Sequence, residues 1–102
     1  MRKILVVEDE DAIREVVALN LRLAGYEVTE AASAEQALAV FSPPAGFDVA
    51  VLDIMLPGMN GFSLCETIRR DSASIGIIML SAKTLETDKI KGLSIGADDY
   101  MT

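Results

Sequence analysis

Two kinds of block alternate along the chain. Short apolar runs bounded by polar residues, such as Ile4-Leu5-Val6-Val7, predict strands buried on both faces of a sheet. Longer stretches with apolar residues three and four positions apart predict helices. The predicted strands cover residues 4–7, 27–31, 47–52 and 75–80, with a fifth beginning at residue 100, and the predicted helices cover residues 11–24, 33–41, 61–71 and 84–95. This alternation predicts an α/β fold, a parallel sheet with helices on both faces.

Local signals support these boundaries. The first predicted helix has one apolar face, formed by Ile13, Val16, Val17 and Leu21. Gly25 stands where a left-handed C-terminal cap is expected. Ser33 and Gln36 have the spacing of a capping box, in which each side chain accepts a hydrogen bond from a backbone N–H at the start of a helix. Pro43-Pro44 ends that helix.

Polar side chains follow three of the predicted strands: Glu8-Asp9, Asp53 and Ser81. The carboxyl edge of an open parallel sheet is where ligands bind, so these residues converge if the first and third strands are neighbours. Three close carboxylates raise one another's pKa unless a cation lies among them. Oxygen ligands suit Mg²⁺, which would also screen an incoming phosphoryl group. Asp53 is then a candidate nucleophile that forms an acyl phosphate.

Plain structural roles are the alternative for several of these residues. Acidic side chains at Glu8, Glu10 and Asp11 also suit the positive end of a helix dipole. Ser81 alone is equally compatible with a turn cap. Asp53 is harder to explain in this way, because it ends an apolar strand and precedes Ile54-Met55-Leu56, which predicts a dry environment.

Composition and charge exclude several kinds of catalytic site, metal site and binding partner. The chain has 102 residues, which supports a single domain over residues 1–102. It has no histidine and one cysteine, Cys65, which exclude a catalytic His, a His-ligated metal site and an internal disulfide. Cys65 is interpreted as core filling in a reducing, cytoplasmic compartment. The net charge of −7 argues against nucleic-acid binding by this segment, and no apolar run is long enough to predict a membrane span.

Four motifs stand out along the chain: Lys3 to Glu10, Asp53 to Gly61, Ser81-Ala82-Lys83 and Gly96 to Tyr100. Together they resemble the receiver domain of two-component response regulators. Their order and spacing span nearly the whole chain, and the last motif is similar to the subfamily with a winged-helix DNA-binding output domain. The resemblance implies a flavodoxin-like, doubly wound parallel sheet of strand order 2-1-3-4-5.

The resemblance also implies a role for each site residue. Asp53 would be the phosphoacceptor, and Glu8, Asp9, Asp53 and the backbone carbonyl of Met55 would hold Mg²⁺. Ser81 would hydrogen-bond a phosphoryl oxygen, and Tyr100 would be the aromatic switch. Because the chain has no histidine, any phosphohistidine donor must be another molecule, and the resemblance implies a sensor histidine kinase or a phosphotransfer protein. Such a domain is a switch that assists its own phosphorylation and turns over no external substrate.

The end of the sequence departs from the family pattern. The lysine expected three residues after the switch aromatic would follow Thr102, and the fifth strand is incomplete and the last helix missing. One interpretation is a fragment of a longer receiver. The other is a shortened form that pairs with itself as a homodimer and works without phosphorylation as an interaction module.

Two further function classes fit the sequence poorly. Phosphatases similar to haloacid dehalogenases have a second Asp two residues after the nucleophile, where this chain has Met55. A nucleotide- or flavin-binding protein would have a glycine- or hydroxyl-rich loop after the first strand, where this chain has Glu8 to Asp11.

Overall fold

The computed structural model describes residues 2–41, 46–53, 61–71, 75–80 and 99–101. Strands and helices alternate through the first seven elements. In chain order they are β1 (Lys3–Val7), α1 (Asp11–Leu23), β2 (Glu27–Ala31), α2 (Ala34–Phe41), β3 (Val49–Asp53), α3 (Gly61–Asp71), β4 (Gly76–Leu80) and β5 (Asp99–Met101). The helix predicted over residues 84–95 lies outside the described residues.

The strands form one parallel sheet in the order β2-β1-β3-β4-β5. This confirms the predicted doubly wound α/β fold and its strand order. The register places Val7 of β1 opposite Leu52 of β3, and Asp53 opposite Leu80 of β4. The residues that follow β1 therefore lie beside the end of β3.

Each face of the sheet has its own apolar core, because successive side chains of a strand point to opposite faces. Leu5 and Val7 of β1 belong to the larger core, which α2 and α3 cover. Cys65 of α3 is fully buried there, as predicted. Ile4 and Val6 point to the other face, where Val17 and Leu21 of α1 pack against the smaller core.

The apolar face predicted for α1 is only half correct. Val17 and Leu21 pack on the sheet and Ala18 is fully buried, but Ile13 and Val16 are 45% and 58% exposed. The side that faces the sheet consists of positions 14, 17, 18 and 21, which have the helical spacing i, i+3, i+4 and i+7. Hydrophobic periodicity did not predict this orientation, since the stripe includes a charged arginine and a small alanine.

The predicted C-cap at Gly25 and N-cap at Ser33 are confirmed, whereas Pro43-Pro44 lies outside the described residues. Gly25 has φ 98°, the N–H of Gly25 donates to the Arg22 carbonyl at 3.0 Å, and the N–H of Tyr26 donates to the Leu21 carbonyl at 3.1 Å. This pair of bonds is the Schellman motif. At the start of α2, Ser33 Oγ accepts from the N–H of Gln36 at 3.1 Å. The Gln36 side chain accepts from the N–H of Ala32, one residue before the position that a standard capping box uses.

In the described part of the chain, no helix combines the length and the apolarity that a membrane span requires.

Candidate functional site

Glu8 is placed by the end of β1. Its N–H donates to the carbonyl of Ala31 at 3.1 Å, which extends the pairing with β2 by one residue. The residue is 6% exposed, and it is the one charged residue among the buried positions of the described chain. The next residue, Asp9, is exposed to solvent.

Asp53 is the last residue of β3 and is partly buried. Since Val7 and Leu52 are register partners in parallel strands, Glu8 and Asp53 both follow a paired position at the same edge of the sheet. Carboxylate oxygens of Glu8, Asp9 and Asp53 lie within 4.8 Å of one another. The predicted convergence of the three carboxylates is therefore confirmed.

The surroundings of Glu8 raise its pKa to about 8. Burial of the carboxyl group is the largest cause, followed by its hydrogen bond with the Asp53 side chain and by the negative charge of Asp53. The N–H of Glu10, which donates to Glu8 Oε1 at 3.3 Å, acts in the opposite direction. In its protonated form Glu8 donates to Asp53, so a proton relieves the repulsion within the cluster.

The donor set suits a hard divalent cation. All three groups offer carboxylate oxygens, and one of them faces solvent, from which a cation keeps its water ligands. Opposite ligands of Mg²⁺ lie about 4 Å apart when each metal–oxygen bond is about 2.0–2.1 Å. The carboxylate oxygens of the cluster, all within 4.8 Å of one another, are separated by a similar distance. A cation bound there would replace the proton that Glu8 otherwise holds.

The helix-dipole alternative fits Asp11, which lies in the first turn of α1, but side-chain capping is not observed. The N-cap of α1 is Glu10, and its side chain makes no capping hydrogen bond within the described region. Asp11, in the first turn, instead pairs with Arg14 at 2.5 Å. Neither the dipole nor a cap of α1 accounts for Asp53, which comes from β3, so the approach of Glu8, Asp9 and Asp53 to one another needs another explanation.

Sequence reasoning missed one residue next to the cluster. Arg14 Nη1 donates to the backbone carbonyl of Glu8 at 2.9 Å, although the side chain belongs to α1. The available signal was its position in the stripe with Val17, Ala18 and Leu21, since a charge on the packed side of a helix needs partners.

Three predicted site residues lie wholly or partly outside the described structure. Met55 and Ser81 lie outside the described residues, and Ser81 directly follows Leu80, the register partner of Asp53. Tyr100 lies in β5 with Met79 of β4 as its register partner. Its side chain is outside the described part of the structure.

Comparison with known sequences shows where the chain belongs. The family described as "Response regulator receiver domain" matches residues 4–102. The chain is 50% identical to the alkaline phosphatase synthesis transcriptional regulatory protein SphR of Synechococcus elongatus, over 98% of the chain and 42% of that protein. It is 48% identical to the phosphate regulon transcriptional regulatory protein PhoB of Pseudomonas aeruginosa, over 99% of the chain and 44% of that protein. The chain thus spans less than half the length of these relatives.

Solved structures agree with this assignment. TrrA of Thermotoga maritima, in complex with Mg²⁺ and beryllium fluoride, superposes with a TM-score of 0.89 at 35% identity, over 100% of this chain and 86% of that one. The beryllium-fluoride-activated receiver domain of DrrB gives a TM-score of 0.91 at 33% identity, over 100% and 84% of the two chains. With its sheet order, its acidic cluster and a family match from residue 4 to residue 102, the chain belongs to the receiver domains of two-component response regulators.

Proposed function

We propose that the chain is a phosphorylation-dependent signalling switch that accepts a phosphoryl group on Asp53. Glu8, Asp9, Asp53 and the backbone carbonyl of Met55 hold Mg²⁺ in this proposal. The observation that carries it is the cluster of three carboxylates within 4.8 Å at the carboxyl edge of the sheet, with the pKa of Glu8 raised to about 8. The negative charges of these carboxylates repel one another unless a cation offsets them. A cation bound there would also attract a negatively charged phosphoryl group.

The chemistry is transfer to a carboxylate. A carboxylate oxygen of Asp53 attacks the phosphorus of a phosphohistidine on a kinase or phosphotransfer protein. The O–P bond forms, the P–N bond breaks, and the electron pair leaves with the imidazole. Mg²⁺ held by Glu8, Asp9, Asp53 and the Met55 carbonyl would supply positive charge that offsets the negative charge of the phosphoryl group. Asp53 suits the nucleophile's role because β3 fixes its backbone and its side chain is only partly buried.

The phosphoryl group changes the face of the domain near Ser81 and Tyr100. Ser81 hydrogen-bonds a phosphoryl oxygen, and Tyr100 turns inward in response. The β4–β5 pairing supports this coupling, since Met79 and Tyr100 are register partners and Ser81 follows the same β4 strand. The domain turns over no external substrate.

The response regulates transcription through a further domain. The relatives SphR and PhoB are named transcriptional regulatory proteins and are more than twice the matched length. A winged-helix DNA-binding output domain in the full protein would account for this difference in length. The full protein would then work in the cytoplasm. The segment described above binds the kinase and not the nucleic acid, in keeping with its net charge of −7.

Incubation with acetyl phosphate and Mg²⁺, followed by intact mass measurement, tests the proposal. We expect the wild-type chain to gain one phosphoryl group and Asp53→Asn to gain none. Asp48→Asn is the matched control, because Asp48 precedes β3 at the opposite edge of the sheet, where its Oδ2 accepts from the N–H of Lys3 at 2.8 Å. It should be phosphorylated like the wild type.

Each other result counts against the phosphoacceptor role. Equal phosphorylation of Asp53→Asn would place the modification on another residue. A folded wild-type chain that gains no mass would instead favour a phosphorylation-independent interaction module, which sedimentation analysis would then test as a homodimer.

A further inference from the structure

Arg14 is a largely buried cation with several partners. Its side chain is only 13% exposed, and its guanidinium group meets three acceptors. It donates to the Glu8 carbonyl at 2.9 Å, pairs with Asp11 at 2.5 Å and lies 3.4 Å from Glu30 Oε1. A planar guanidinium has several N–H donors in a fixed fork, which allows one side chain to hold three acceptors at once.

The bond to Glu8 fixes a specific peptide group. The carbonyl of Glu8 and the N–H of Asp9 belong to the same planar unit. The preceding peptide group, between Val7 and Glu8, is held as well, because the N–H of Glu8 donates to the carbonyl of Ala31 at 3.1 Å. Both peptide groups that flank the Glu8 Cα are thus anchored. The one between Glu8 and Asp9 determines the position of the Asp9 Cα, from which the Asp9 side chain extends.

Arg14 is itself held by a second layer of contacts. Glu30, on the face of β2 that α1 covers, pairs with Arg14 and also with Arg22 at 3.1 Å. Arg22 donates in addition to the carbonyl of Val28 at 3.2 Å. The guanidinium of Arg14 is therefore tied to α1 through Asp11 and to β2 through Glu30, while it reaches the loop between β1 and α1.

We propose that Arg14 is a positioning residue that holds the Glu8–Asp9 peptide so that the Asp9 carboxylate faces Glu8 and Asp53. This role requires no contact of Arg14 with the cation or with the phosphoryl group. Arg14 acts through the backbone, and its guanidinium fork is what allows it to do so. The expected effect of Arg14 on Mg²⁺ affinity rests on the proposed function, whereas its expected effect on the order of the Asp9 backbone does not.

The test compares two arginines that share Glu30. Arg14→Met keeps an unbranched stem and loses every bond to the loop, whereas Arg22→Met loses a Glu30 partner and leaves the Glu8 carbonyl bonded. Two quantities are measured by NMR: the order parameter of the Asp9 amide without metal, and the Kd for Mg²⁺ from titration. Urea unfolding of each variant confirms that the measurements are made on folded protein.

We expect Arg14→Met to lower the order parameter of Asp9 and to weaken Mg²⁺ binding by about 10-fold, the lower end of the usual effect of residues that orient metal ligands. Arg22→Met should leave both quantities at the wild-type value. Arg14→Lys, which keeps the charge but not the fork, covers the case in which Arg14→Met does not fold, and it should also weaken Mg²⁺ binding.

Several outcomes would overturn the proposal. These are unchanged Asp9 order and Mg²⁺ affinity in Arg14→Met, equal effects in Arg22→Met, or wild-type behaviour in Arg14→Lys. If the wild-type chain does not bind Mg²⁺, the proposed function fails, and the metal-free Asp9 measurement still decides whether Arg14 positions this backbone.

Discussion

At the scale of single residues, Glu8 shows how one carboxyl group serves both the fold and the site. Its backbone N–H continues the β1–β2 pairing, while its side chain is buried against Asp53. Burial and the neighbouring negative charge favour the protonated form, and so they raise its pKa to about 8. The stability of the metal-free protein must therefore depend on pH through this residue.

The sign of this dependence follows from proton binding. Between the ordinary pKa of 4.5 and the folded value of about 8, the folded chain holds a proton that the unfolded chain releases. The stabilisation from Glu8 is complete below 4.5 and is lost as the pH rises through about 8. We expect the free energy of unfolding of the wild type, relative to Glu8→Gln, to fall across this window in urea titrations with a metal chelator.

Glu8→Gln is the appropriate reference because its amide has a similar size and carries no titrating proton. Parallel pH profiles for the two proteins would show that Glu8 does not hold a proton in the folded state. Excess Mg²⁺ should reduce the pH dependence of the difference, because a cation in the cluster replaces that proton.

At the scale of elements, the end of α1 depends on one backbone conformation. Gly25 has φ 98°, and a Cβ built at this position meets no atom within 4 Å. A side chain at this position therefore meets no steric obstacle from its neighbours. The cost of substitution comes from the left-handed backbone region that the Schellman motif requires.

We expect Gly25→Ala to lower the free energy of unfolding by about 1 kcal/mol. Gly25→Asn should cost less, since asparagine adopts the left-handed region more readily than alanine. Chemical denaturation of the two variants beside the wild type measures both values. Equal losses for Ala and Asn would mean that side-chain contacts, and not the backbone, determine the cost.

The orientation of α1 is also decided at this scale. The sequence pattern favoured a face with Ile13 and Val16, but the helix packs through positions 14, 17, 18 and 21. Fully buried Ala18 allows a close approach to the sheet, and Arg14 is accommodated because Glu8, Asp11 and Glu30 supply acceptors. These partners come from other elements, so helical periodicity alone could not identify them.

At the scale of the whole molecule, β1 separates two cores. Leu5 and Val7 face the larger core under α2 and α3, and Ile4 and Val6 face the smaller core under α1. All four side chains are buried, because β1 lies between β2 and β3 and has helices on both faces. The strand that carries Glu8 and Asp9 at its end is thus among the best anchored parts of the described molecule.

Substitutions in β1 and on the solvent-exposed side of α1 should lower the free energy of unfolding by very different amounts. Leu5 has no exposed surface, and Leu5→Ala should destabilise the fold by about 2–5 kcal/mol through lost burial and a cavity. Leu19 is 56% exposed, so Leu19→Ala should change stability by no more than about 0.5 kcal/mol. Urea unfolding compares the two directly. A large loss in Leu19→Ala would indicate that this side of α1 is covered by further contacts in solution.

The sequence alone determined the order of the described elements, the caps at Gly25 and Ser33, and the strand ends that carry Glu8, Asp9 and Asp53. These features depend on local periodicity and turn chemistry, which neighbouring residues specify. The tertiary structure decided how closely the three carboxylates approach, how far burial raises the pKa of Glu8, and which side of α1 meets the sheet. It also revealed the contact of Arg14 with the Glu8 carbonyl. These properties arise between segments far apart in the chain, where distance and desolvation depend on the packed molecule.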